Sequence, residues 1–160
     1  MKQVDIIVNK SSVYEEVGKT TSYIGAKSVG DADAYERIFT TDEDRAMLER
    51  FWREASGNVT SLLKPMASTI SDQPVTHGVD IGRSFTASLN MPDSFPSSLT
   101  NSINNSLYSY FVQYISSKWL GIGKEEDKAK SYMEMATVSF MEAKEKLFYR
   151  ERPKRIKPTI

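Results

Sequence analysis

Two stretches in the second half of the chain carry apolar residues at helical spacing, and a short glycine break separates them. Leu99, Ile103, Leu107, Tyr110, Phe111, Tyr114, Ile115 and Trp119 fall on one face of the first. Ala129, Tyr132, Met133, Ala136, Phe140, Ala143, Leu147 and Phe148 do the same in the second. A period of 3.6 sustained over this length defines an amphipathic helix. Pro96 suits the first turn of the first helix, Gly121 and Gly123 end it, and Lys124-Glu125-Glu126-Asp127 opens the next with acids in its first turn. The pattern predicts a helical hairpin, and in a chain of 160 residues two such helices leave room for one domain with one core.

The first half adds shorter elements. Val4 to Val8 is a β-branched run that reads as an edge strand, and Ser12 with Glu15 has the spacing of a capping box. A helix is expected from there to about Lys27, with Val13, Val17 and Ile24 inward and Tyr14 beside them. Ser28 to Ala34 is a turn-rich connection, and Tyr35 to Phe39 has room for a single helical turn. Thr41-Asp42-Glu43-Asp44 is a second capping box, followed by Met47, Leu48, Phe51, Trp52, Ala55, Val59, Leu62, Leu63, Met66 and Ile70 on one helical face. Gly57 and Pro65 interrupt that face, so the expectation is one helix kinked at the proline, with two short helices as the alternative. Val79, Ile81, Phe85, Ala87 and Leu89 alternate with polar residues, which predicts a half-buried strand over 79–90 with a bulge near Gly82. Its partner is either the N-terminal strand or a neighbouring subunit. The fold class read from these elements is mainly α: a bundle of about four helices with a small β element (domain 1–149) and an extended arm at 150–160.

Composition removes several classes of function. Hydrophobic residues at 39% and charged residues at 26% fit a folded globular body, and no apolar run approaches the roughly 20 residues that span a bilayer. The opening residues carry charge too early for a secretory signal, so a soluble protein made in a cytoplasm is expected. Without cysteine the chain has neither disulfides nor a thiolate nucleophile nor a cysteine zinc site. His77 is the single histidine and has no second convergent ligand or orienting partner in the sequence. Asp42, Glu43 and Asp44 fit a helix cap better than a cation site, and Gly121-Ile122-Gly123 follows a helix where a phosphate loop follows a strand. No enzyme activity, metal or cofactor is expected.

What the sequence does single out is its last stretch. Arg150, Arg152, Lys154, Arg155 and Lys157 crowd into a strip broken by Pro153 and Pro158, on a chain whose net charge is zero. Repelling cations and two prolines keep such a strip extended. It reads as a nucleic-acid arm, as an anchor in an acidic protein groove, or as a solvated end. Interleaved Ile156 and Ile160 favour the groove, since a proline-containing segment loses little entropy on docking. The partner-binding set is therefore Arg150, Arg152, Lys154, Arg155, Ile156, Lys157 and Ile160. The first of the two long helices adds a second hint: Asn101, Asn104, Asn105, Ser106, Ser109 and Gln113 give it a polar but uncharged outer side, which fits contact with another copy and equally fits a plain polar surface.

The order of elements, from the capped acidic start Thr40-Thr41-Asp42-Glu43-Asp44 through a long amphipathic helix, a strand excursion, a helical hairpin and an extended tail, resembles the head-tail connector (adaptor) proteins of tailed bacteriophages. Thr41 to Ala67 is similar to the opening of that family. Val13-Tyr14-Glu15-Glu16-Val17-Gly18-Lys19-Thr20-Thr21-Ser22-Tyr23 resembles the N-terminal part of prophage proteins of gut Bacteroidetes. The resemblance implies a virion protein that forms a homo-oligomeric ring, often a dodecamer. Such a ring lies beneath the portal protein, touches adjacent tail or neck proteins, and lets DNA pass without sequence-specific contact and without a membrane. The prominent strand and Pro65 depart from the pattern and keep a different neck or tail-completion protein open. The rival from another class is a small helical nucleic-acid-binding regulator that uses the same arm, with Lys144 and Lys146, on phosphates.

Overall fold

The computed structural model describes residues 1–27, 44–71 and 84–155, apart from the side chains of 22–27, 45 and 71. The features expected at 28–43, at His77 and around 79–83, including the bulge near Gly82, lie outside the described residues. Among those described the chain forms β1 (Lys2–Val8), α1 (Lys10–Lys27), α2 (Arg45–Leu63), β2 (Ala67–Ser71), β3 (Phe85–Met91), α3 (Thr100–Ile122) and α4 (Glu126–Phe148). A single 3₁₀ turn, Ser97–Leu99, leads into α3. The class is mainly α with a small β element, as the periodicity predicts.

The sheet is antiparallel in the order β1-β3-β2, and the N-terminal strand is the partner of β3. Val4 lies opposite Leu89, Ile6 opposite Ala87 and Val8 opposite Phe85, so the buried alternation of one strand faces that of the other. A slip of β1 by one residue would turn Val4, Ile6 and Val8 outward, which is why this register is strongly determined. Gln3, Asp5 and Ile7 point to the exposed face of the sheet.

β2 corrects the expectation of a helix continuing to Ile70. Proline cannot donate the bond that the helix needs, and here it ends the helix instead of bending it: α2 stops at Leu63, and 64–66 form a turn. Met66 O then accepts from Asn90 N at 2.8 Å, and Ala67 to Ser71 pair with β3 across an irregularity between Ala67 and Thr69. α1 also starts earlier than its capping box suggests. Asn9 accepts from Ser12 N through Oδ1 at 3.0 Å, so the short amide and not Ser12 caps the helix. At the hairpin, α3 runs through Gly121, Gly123 has φ −75°, and the left-handed position is Lys124 at φ 62°.

α3 is the hub, in contact with α1, α2, α4 and β1. Its inner residues join an aromatic stack: Phe111 lies 4.4 Å from Trp52 and 5.9 Å from Phe85, and Tyr14 meets Trp52 edge-on at 6.1 Å. Because helices cover most of its circumference, the Ser/Asn/Gln side is used inside the chain. Asn104 Oδ1 accepts from Ile7 N on the open edge of β1 at 3.1 Å, and Ser106 Oγ accepts from Lys146 at 2.8 Å. Gln113 Oε1 accepts from Ser139 at 2.7 Å, and Ser117 donates to Ala129 O at 2.6 Å. Part of the uncharged side is thus used within the chain, while Asn101 and Asn105 remain exposed and Ser109 half-buried.

One charged pair is buried beside the stack. Lys10 Nζ contacts Glu49 Oε2 at 2.6 Å with the two residues 2% and 3% exposed, and Tyr14 donates to Glu49 Oε1 at 2.7 Å. The pair fastens the start of α1 to the first turns of α2. Breaking a buried pair strands a charge, whereas replacing both members removes the desolvation cost together with the attraction. Glu49→Ala is therefore expected to lose about 3–5 kcal/mol of stability, and Lys10→Met combined with Glu49→Leu to lose far less. Urea titration followed by circular dichroism checks both.

Candidate functional site

The C-terminal arm leaves α4 through a defined root. Tyr149 turns the backbone to extended geometry (φ −65°, ψ 138°), and Arg150 Nη1 donates to Leu147 O and Tyr149 O, each at 2.8 Å. Those carbonyls belong to the end of the helix, where a cation also complements the negative end of the dipole. Glu151 N then donates to Ser94 O at 2.8 Å, which ties the arm to the loop between β3 and α3. Beyond this point Arg152, Pro153, Lys154 and Arg155 are exposed, and among the described residues none of the three cations has an ion-pair partner. Of the sequence-predicted set, Arg150 is thus spent on the helix end, Arg152, Lys154 and Arg155 are available, and Ile156, Lys157 and Ile160 lie outside the described residues.

Two grooves flank this root. One, of about 650 Å³, opens between α2, α3 and α4 and is lined mainly by Leu62, Tyr110, Tyr114, Met133, Phe140 and Phe148. On its α2–α3 wall, Asn58 Nδ2 donates to Tyr110 OH at 2.9 Å and Tyr114 OH donates to Glu54 at 3.0 Å. Burial first, and then the bond to Glu54, pushes the Tyr114 hydroxyl well above the ordinary phenol range, so it remains a donor at neutral pH. The second groove, about 480 Å³, lies on the other side, between Pro96 and Leu99 on one wall and Glu145 and Tyr149 on the other. Phe148 and Tyr149, 52% and 56% exposed, each line one groove.

Between the grooves runs the outer side of α4, which sequence reasoning missed. Phe148 is placed by its spacing with the inner stripe, yet it is exposed, as are Met135, Val138 and Met141. The readable signal is a second set of positions on the same helix, Glu134, Val138, Met141, Glu145 and Phe148, at alternating steps of four and three. A search for the inner stripe passes over it because the core needs one face only. Glu134, Glu142 and Glu145 are exposed and have no ion-pair partner among the described residues.

Among the described residues no group of three or more His, Asp or Glu side chains is placed to hold a metal ion, and no helix is long and apolar enough to cross a membrane. No family model, curated protein or solved structure matches the chain.

The different uses of the basic residues are separable by stability. Arg150→Ala is expected to lower it by about 0.5–1 kcal/mol through the lost helix-end contacts, whereas Arg152→Ala and Lys154→Ala stay within about 0.5 kcal/mol of the parent. Denaturant midpoints for the three variants test this.

Proposed function

We propose that this chain is a structural virion protein, a head-tail connector that assembles as a ring around the DNA channel of a phage neck and joins the portal to the tail. The observation that carries the reading is the pairing of an arm with free cations and a helix face with free apolar and acidic side chains at the same end of one domain. Each is costly or idle on an isolated molecule, and each is satisfied by assembly. The order of elements, similar to connector proteins, supplies the location. A groove-seeking arm fits contact with a neighbouring protein ring, and a ring built from such protomers would leave DNA to pass without base contacts.

Arg152, Lys154 and Arg155, exposed and without an ion-pair partner among the described residues, also suit phosphates, which supports the nucleic-acid regulator as the second reading. On α4 itself the exposed Lys130 and Lys144 alternate with Glu134, Glu142 and Glu145, and Lys146 is bonded to Ser106 Oγ, so the helix that carries the arm adds no basic face for a duplex.

Co-sedimentation of the purified chain with portal-bearing, tailless particles of its own phage distinguishes the two. Binding to the particles is expected, with at least a tenfold loss when residues 152–160 are removed, and with no complex on free duplex DNA at about 0.15 M salt. Tight duplex binding that weakens steeply with salt, with no particle binding, would select the regulator.

A further inference from the structure

We propose that the outer face of α4 is the receptor for the basic arm of a second copy of this chain. The inference rests on the assembling reading above and names the surfaces that meet.

On α4, the alternating steps of four and three place Glu134, Val138, Met141, Glu145 and Phe148 in one seam along the helix. All five are exposed, Val138 at 57%. At 1.5 Å per residue the seam is about 21 Å long. A second α4 is a poor occupant. Parallel pairing sets each seam carboxylate against its own copy, and antiparallel pairing sets it against Val138 or Phe148, so that in both it loses water without gaining a cation.

The arm has what the seam lacks. Its sequence alternates cations with small apolar residues: Arg152, Pro153, Lys154, Arg155, Ile156, Lys157. Arg152, Lys154 and Arg155 are exposed and have no ion-pair partner among the described residues, and the same holds for Glu134 and Glu145, which stand about 16 Å apart along the helix. Among the described residues the two sets do not meet within one molecule. The arm is directed past Ser94 by the Glu151 bond, and no ion pair joins Arg152, Lys154 or Arg155 to Glu134 or Glu145. The contact is left for another copy, and repeated from copy to copy it is head-to-tail, the kind that closes into rings.

Two charge reversals at exposed positions test it: Glu134→Lys with Glu145→Lys on the seam, and Arg152→Glu with Lys154→Glu and Arg155→Glu on the arm. Sedimentation velocity on the full chain is expected to show association at low salt that weakens as salt rises. Each reversed protein alone should associate at least tenfold more weakly. An equimolar mixture of the two should recover association, because each reversed surface then meets an opposite one. A parent chain that stays monomeric at every salt, association that ignores both reversals, or a mixture that fails to recover would each overturn the inference. Association that ignores the reversals leaves the connector reading intact. Recovery on mixing together with no binding to phage particles overturns that reading alone.

Discussion

A helix covered on nearly every side must find partners inside the chain for most of its polar groups, and this condition shapes the domain around α3, where Ser116 Oγ and Trp119 Nε1 are the exceptions among the described residues, buried without a hydrogen-bond partner. Its apolar face anchors the aromatic stack, which any amphipathic helix would do. The more demanding part is the rest of the circumference, where a charged side chain would be desolvated and a plain apolar one would leave the polar atoms facing it unpaired. Ser, Asn and Gln meet the condition because each supplies one or two short bonds at fixed places: Asn104 to β1, Ser106 to Lys146, Gln113 to Ser139, Ser117 to the first turn of α4. The bond to Ile7 N also satisfies a donor on the outer edge of β1, where an uncovered strand offers pairing to any passing chain.

The same condition explains where charge is tolerated inside. Lys10 and Glu49 are buried as a pair, with Tyr14 filling a further acceptor site on the carboxylate and the rings of Tyr14 and Trp52 within 6 Å of the ammonium group. An apolar pair of the same volume would pack as well. What the ions add is orientation, since Glu49 accepts from Lys10 and Tyr14, one turn apart on α1, and only a narrow set of α1–α2 geometries allows both.

Much of this was legible in the sequence, and the parts that were not share a cause. The hairpin helices, the inner faces of α2 and α3, and the strand at Phe85–Met91 all rest on periodicity, a local property. β2 failed because Ala67-Ser68-Thr69-Ile70-Ser71 is too short to establish a period of two, and Met66 and Ile70 fit the preceding helical stripe as well. Lys10 and Glu49 carry no shared pattern because 39 residues separate them and only the packing of α1 on α2 brings them together. The uncharged side of α3 was visible, but its meaning was not: the same composition suits an interface between chains and an interface within one. Of the candidate site, the cations were legible and the division among them was not, because Arg150 differs from Arg152 only in its distance from the end of a helix.

That division bears on what the arm is for. If all of its cations were solvating groups, nothing would distinguish the one that closes α4 from those that follow. Instead Arg150 and the backbone of Glu151 hold the root in place, and free charge begins immediately afterwards, at Arg152. A fixed root gives the free part a defined direction and lowers the entropy lost when it docks, so a short, weakly apolar segment can bind with useful affinity. The seam on α4 has the matching economy, with two carboxylates bracketing a short apolar stretch and no cation of its own. Neither surface adds to the stability of a lone protomer. Both carry charged and apolar groups that the protomer leaves exposed, so the core does not account for them.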